Sequence, residues 1–165
     1  KFPVITTPKL DGIRILKKDG QLWTRSLKKP VPNNYIQAMA HLIPDGIDGE
    51  IITYHDPEMT QMKKLNEINS DVMSRDGEPF WLFWAFDDFT IPTMPYIERI
   101  ASTHIKIKNN TLIKLVPPMR VKNKEELMAV HQENVAAGWE GTMYRYPLSP
   151  YKYGRSTFRE GILVK

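Results

Sequence analysis

The sequence contains no cysteine in its 165 residues, so neither a disulfide nor a thiolate metal site contributes to its fold or chemistry. It also lacks a long apolar stretch. The longest, Phe80 to Phe86, is far shorter than the ~20 residues a membrane-spanning helix needs. No repeat, low-complexity tract, linker or signal-peptide pattern interrupts it. A start at Lys1 instead of methionine reads as a trimmed or excised chain. What remains is the composition of an ordinary globular domain, 41% hydrophobic and 25% charged, at a length that forms one compact unit. An intracellular monomer without membrane contact is the expectation from these features.

Charge is unevenly placed. The net value is +4, yet residues 1–34 hold eight basic against two acidic side chains, and residues 143–165 hold five against one. The stretch 35–142 is the reverse, with ten against sixteen. If both ends fold onto one face, that face is basic and suits a polyphosphate or a nucleic acid.

Apolar spacing predicts three helices: one capped by Asn34 with Ile36, Met39, Ala40 and Ile43 on a face, one opened by Pro95 through Tyr96, Ile97 and Ile100, and one from Asn123 and Glu126 to a stop at Gly138. Short strands are predicted over 13–16, 21–25, 50–54, 80–86, 112–116, 142–146 and 162–165, with Asp19-Gly20 as a hairpin turn. Residues 55–79 are polar with little periodicity and read as a surface excursion. The pattern argues for an α+β domain with largely antiparallel sheets.

The residues that carry chemistry sit at strand ends. Lys9 stands beside Leu10-Asp11-Gly12-Ile13-Arg14, a set that suits a nucleophilic lysine, a close backbone approach at Gly12 and an arginine on a ribose or phosphate oxygen. Alone, the string fits equally a surface lysine before an Asp-Gly turn. Glu50, in Asp48-Gly49-Glu50, and Glu140, in Glu140-Gly141, suit a ribose hydroxyl or a hard cation, or a solvated turn. Phe86, beside Asp87, suits stacking on a base, or plain core. Lys165 ends an apolar strand, where a charge is costly unless it meets an anion or water.

In series, Lys9-x-Asp11-Gly12-x-Arg14, Asp48-Gly49-Glu50, Phe86-Asp87, Glu140-Gly141-x-Met143 and the apolar end at Lys165 resemble motifs I, III, IIIa, IV and V of the covalent nucleotidyltransferases. That superfamily comprises ATP-dependent DNA ligases, RNA ligases and messenger-RNA capping enzymes. The nearest similarity is to compact viral and phage DNA ligases, through stretches 7–14, 24–28, 48–51, 70–73 and 151–165.

The resemblance implies an ATP-grasp-like nucleotidyltransferase (adenylation) domain over 1–165, with sheets flanked by helices. It implies ATP and Mg2+ as cofactors, nicked duplex DNA as partner, and sealing of 5′-phosphate/3′-hydroxyl nicks. Lys9 would become lysyl-AMP. Arg14 and Glu50 would bind the ribose, Phe86 would stack on adenine, and the backbone at Thr7 would read the base. Glu140, with Glu50, would place the metal, and Lys165 would contact the α-phosphate. Arg25, Lys152 and Arg155 would contact the nicked strand. Three departures stand out: the second lysine with which the family's motif V usually continues would lie just past Lys165, an extra residue stands in Lys28-Lys29-Pro30, and no OB-fold domain follows this one within the 165 residues. An RNA ligase, a capping guanylyltransferase and a nick-binding module with little activity of its own are the alternatives.

Overall fold

The computed structural model describes residues 2–154 and the backbone of 163–164. Two sheets carry the fold. Strand β1 (Val4–Lys9) lies inside a four-stranded sheet of order β7-β1-β8-β9, with β7 (Met119–Val121), β8 (Gly141–Arg145) and β9 (Leu163–Val164). The second sheet has five strands in the order β3-β2-β4-β5-β6: β2 (Ile13–Lys18), β3 (Gln21–Thr24), β4 (Ile47–Tyr54), β5 (Phe80–Asp88) and β6 (Ile113–Leu115). All pairings are antiparallel except β5 with β6. A parallel pair needs a crossover, supplied here by helix α3 (Tyr96–Ile107). The α+β expectation is met.

Asp19 and Gly20 both adopt positive φ, 51° and 77°, the geometry of a two-residue hairpin joining β2 to β3. Side-chain alternation divides the second sheet. Ile13, Ile51 and Phe83 form one cross-strand row, of which Ile51 and Phe83 are fully buried. They pack in the main core with Ile36, Ile43, Ile68 and Val72. The next row, Arg14, Glu50 and Trp84, belongs to the opposite face.

Sequence and structure differ at several points, β7 (Met119–Val121) among them, over which no strand is predicted. Asn33, not Asn34, caps helix α1 (Asn34–Ala38): its buried side chain accepts from the Ile36 N–H at 2.9 Å while its amide donates to the Asp71 and Gly77 carbonyls. The 55–79 stretch is no mere excursion, because it contains helix α2 (Leu65–Met73), a fourth helix. Only Ile68 and Val72 of that helix are buried, and Thr53 of β4 donates to Asp71 at 2.7 Å to fix it. Its apolar residues Leu65, Ile68, Val72 and Met73 do stand at helical spacing, so the signal is present in the sequence but short and set among polar residues. Strand β1 also escapes the alternation rule, since Val4, Ile5, Thr6 and Thr7 are buried in succession.

Helix α4 (Lys124–Ala136) starts as expected, with the Asn123 side chain accepting from Glu126 N–H at 2.8 Å, and stops before Gly138, whose φ is 89°. None of its residues is fully buried; it lies on β8 and β1, where Asn134 donates to Thr142 at 2.8 Å. Among the described residues, no helix is long and apolar enough to cross a membrane.

Candidate active site

Lys9 is the last residue of β1, and the chain then leaves the first sheet and enters β2 of the second. This crossing puts Lys9 where the sheets meet. Its ammonium pairs with the Glu140 carboxylate, and the Glu140 N–H donates back to the Lys9 carbonyl at 3.2 Å. Pairing of Lys9 with Gly141 in the β1–β8 ladder fixes that register. The Lys9 side chain is 19% exposed and that of Glu140 is 49% exposed, so the amine is sheltered while the carboxylate faces water.

Glu50 stands on the second sheet's side of the crossing and accepts from the Gly12 N–H at 3.1 Å. Burial pushes its carboxyl up to about 7; Asp48 adds to the effect, while Gly12, Arg14 and Lys9 oppose it. Gly12 has no room for a side chain. A Cβ there would lie 2.6 Å from the Ile51 carbonyl oxygen and 3.2 Å from Glu50 Oε2. The reason for glycine that the structure shows at this position is close approach to β4.

Phe86 occupies a β-bulge. Asp48 pairs with Asp87 and Gly49 with Ala85, which leaves Phe86 as the extra residue on β5. Its half-buried ring meets two guanidinium groups, those of Arg14 at 5.9 Å and Arg145 at 5.5 Å from the centroid. Thr7 is buried on β1 opposite Met143.

Arg14 is the cross-strand neighbour of Glu50, but its guanidinium turns to the buried Asp48, bonding through Nε at 3.1 Å and Nη2 at 2.7 Å. Burial opposes its charge, yet the Asp48 carboxylate more than compensates and holds the group above its ordinary value. The Tyr151 hydroxyl donates to the same carboxylate at 2.7 Å and accepts from Arg14 at 3.3 Å. A second buried group lies beyond Phe86: Asp87 accepts from Arg99 Nε at 2.7 Å and from Arg145. From the sequence, Asp48 and Tyr151 appear only as members of the 48–51 and 151–165 stretches with no role of their own, and Arg99 and Arg145 carry none; Arg99 lies on the same helical face as Tyr96, Ile100 and Thr103.

The structure thus brings Lys9, Arg14, Glu50, Phe86 and Glu140 around one crossing. Arg25 lies apart and exposed, in a turn after β3 closed by bonds from Thr24 N–H to the Lys29 carbonyl and from Leu27 N–H to the Thr24 carbonyl. Lys152 follows Tyr151. The two regions adjoin, because Leu27 packs against the cluster of Leu16, Phe89 and Tyr151. Arg155 and Lys165 lie outside the described residues.

This geometry meets a direct comparison. Residues 1–161 match the family described as ATP dependent DNA ligase domain. The chain belongs to that family. A structure of Chlorella virus DNA ligase-adenylate shares 31% identity with a TM-score of 0.84, covering 100% of this chain and 62% of that one. A second structure of the same viral ligase-adenylate gives 31% identity and a TM-score of 0.81, covering 99% and 60%. The ATP-dependent ligase of bacteriophage T7, in complex with ATP, shares the fold at 15% identity and a TM-score of 0.65, covering 93% and 60%. The chain therefore spans about three-fifths of the length of the viral ligases it matches. No curated protein matches the sequence.

Proposed function

We propose that this chain is the adenylating module of an ATP-dependent DNA ligase, with Lys9 as the nucleophile. The observation that carries the reading is the placement of Lys9: a sheltered amine at a sheet-to-sheet crossing, paired with Glu140 and close to the Glu50–Gly12 contact.

The ammonium must lose a proton before it can attack, and the Glu140 carboxylate beside it is a proton acceptor. The neutral Lys9 Nζ then forms a bond to the α-phosphorus of ATP, the bond to the bridging oxygen breaks, and pyrophosphate leaves. AMP next passes from Lys9 to the 5′-phosphate of a nick. Attack by the 3′-hydroxyl on that activated phosphate releases AMP and closes the strand. In each transfer the charge spreads over phosphate oxygens, so the module's work is positioning and electrostatic stabilisation. Glu50 faces the ribose, and Phe86, at its bulge, offers a ring to the base. Arg25 and Lys152 face the nicked strand, in a role that makes binding salt-sensitive.

The donor set fits Mg2+. Hexacoordinate Mg2+ at nucleotide sites uses one or two carboxylates with substrate phosphates and waters, and Glu140 and Glu50 are two such carboxylates. When bound, the ion would neutralise phosphate charge.

Incubation with α-labelled ATP or GTP tests the reading. Covalent label from ATP but not GTP is expected. Label from GTP would move the assignment to a capping guanylyltransferase, and label from neither would leave a nucleic-acid-binding module.

A further inference from the structure

The segment that follows β8 is tied to the nucleotide side of the domain at several points. Arg99 Nη1 donates to the Ser149 carbonyl at 2.8 Å, and the Tyr151 N–H donates to the Pro92 carbonyl at 2.7 Å. The Tyr151 ring packs with Phe89 and lies 5.7 Å from the Arg99 guanidinium. Its position is therefore set from the backbone outward, before the hydroxyl makes any contact.

That hydroxyl has a single proton, which goes to Asp48 Oδ2 at 2.7 Å. Its lone pairs then receive Arg14 Nη2 at 3.3 Å. Asp48 carries both groups on one oxygen, so Tyr151, Asp48 and Arg14 form a closed triangle of bonds. Burial and the adjacent Asp48 push the phenol above its ordinary range, so the proton stays on the tyrosine at neutral pH. Arg14 alone can swing about its long side chain. With the triangle closed, its guanidinium is held on Asp48, 5.9 Å from the centroid of the Phe86 ring.

We infer that Tyr151 is a positioning residue for the nucleotide: its hydroxyl, acting through Asp48, holds Arg14 in the orientation that receives the nucleotide. This rests on the adenylating function proposed above. It predicts a loss confined to nucleotide binding, because the bonds of the Tyr151 hydroxyl go to Asp48 and Arg14.

The test uses the full chain and two measurements. The first is the Kd for α,β-methylene-ATP, which cannot be cleaved at the α–β position and so reports binding without charging. The second is the rate of charging with labelled ATP across a concentration series. Tyr151→Phe keeps the ring and deletes the hydroxyl. It should weaken analogue binding and raise the KM for ATP by roughly 3- to 10-fold, the scale of one lost hydrogen bond, with charging at saturating ATP close to the parent. Combined with Arg14→Ala, the same substitution should add nothing, since the group it positions is gone. A parent-like Kd for Tyr151→Phe overturns the inference, as does an undiminished effect in the Arg14→Ala background. So does failure of Tyr151→Phe to fold, which would make the hydroxyl structural. A parent that binds the analogue but never charges would overturn the proposed reaction while the Kd comparison still judges Tyr151. A parent that binds no analogue overturns both.

Discussion

Arg145 of β8 and Asp87 of β5 join the two sheets: the guanidinium donates to the carboxylate, which is itself held from α3 by Arg99 Nε at 2.7 Å. Both Asp87 and Arg99 are almost fully buried, at 1% and 2% exposure. Arg145 also covers the rings of Phe86 and Tyr96, at 5.5 and 4.7 Å from their centroids. Asp87→Ala would leave two buried cations without their anion. Urea unfolding should show a loss of about 3–5 kcal/mol, the scale for breaking one side of a buried pair. A loss below about 1 kcal/mol would mean that water already satisfies the cluster.

Gly12 and Gly20 make a matched contrast. A methyl at Gly12 would press on the Ile51 carbonyl at 2.6 Å and on Glu50 at 3.2 Å, whereas one at Gly20 meets nothing within 4 Å and suffers only from the φ of +77°. Each alanine variant should lose stability, by about 1–3 kcal/mol at Gly12 and about 1–2 kcal/mol at Gly20. Only Gly12→Ala should slow charging with labelled ATP. Equal charging by both variants would detach the Gly12–Glu50 contact from the reaction.

Glu50 carries a pH signature. Its carboxyl is raised from 4.5 to about 7 by burial, so the folded state binds the proton more tightly than the unfolded one. The stability this contributes is complete below about 4.5 and is lost as pH rises through about 7. Glu50→Gln cannot ionise. It should therefore be more stable than the parent at pH 8, by on the order of 2–3 kcal/mol, with the difference shrinking towards pH 5. Urea midpoints at the two pH values check the sign; a difference that grows on acidification would contradict it.

The residues proposed to take part in charging were legible because their motifs fall at strand ends, where side chains from separate segments converge. Lys9 closes β1, Phe86 sits near the end of β5, and Glu140 immediately precedes β8. The supporting network was not legible. Asp48 is a partner of Arg14 only because β2 and β4 pair in register, and Asp87 meets Arg145 only because two different sheets face each other. Local periodicity carries no information about either. Helix α2 is a different case: Leu65, Ile68, Val72 and Met73 stand at helical spacing within a polar stretch, and the Thr53–Asp71 bond that fixes the helix is long-range.

In the proposed reaction, Arg25 offers a way to separate charging from sealing. It is exposed in the turn after β3, away from the Lys9 crossing, and next to the Tyr151 region through Leu27. Arg25→Ala should charge with AMP like the parent, yet transfer AMP to a nicked 5′-phosphate more slowly. Arg25→Lys should restore only part of the rate, because an ammonium lacks the paired donors of a guanidinium. The comparison starts from pre-adenylated protein at moderate salt. Parent-like transfer by Arg25→Ala would remove the nick from this face.

The account stands on Lys9. Intact-mass measurement after incubation with ATP and Mg2+, followed by peptide mapping, tests it most directly. The parent should gain the mass of one AMP, mapped to the peptide containing Lys9. Lys9→Ala has no amine and Lys9→Arg keeps its proton, so both should gain nothing. AMP mapped to Lys17, Lys18 or any other lysine, or a parent that takes up no AMP, would contradict the account.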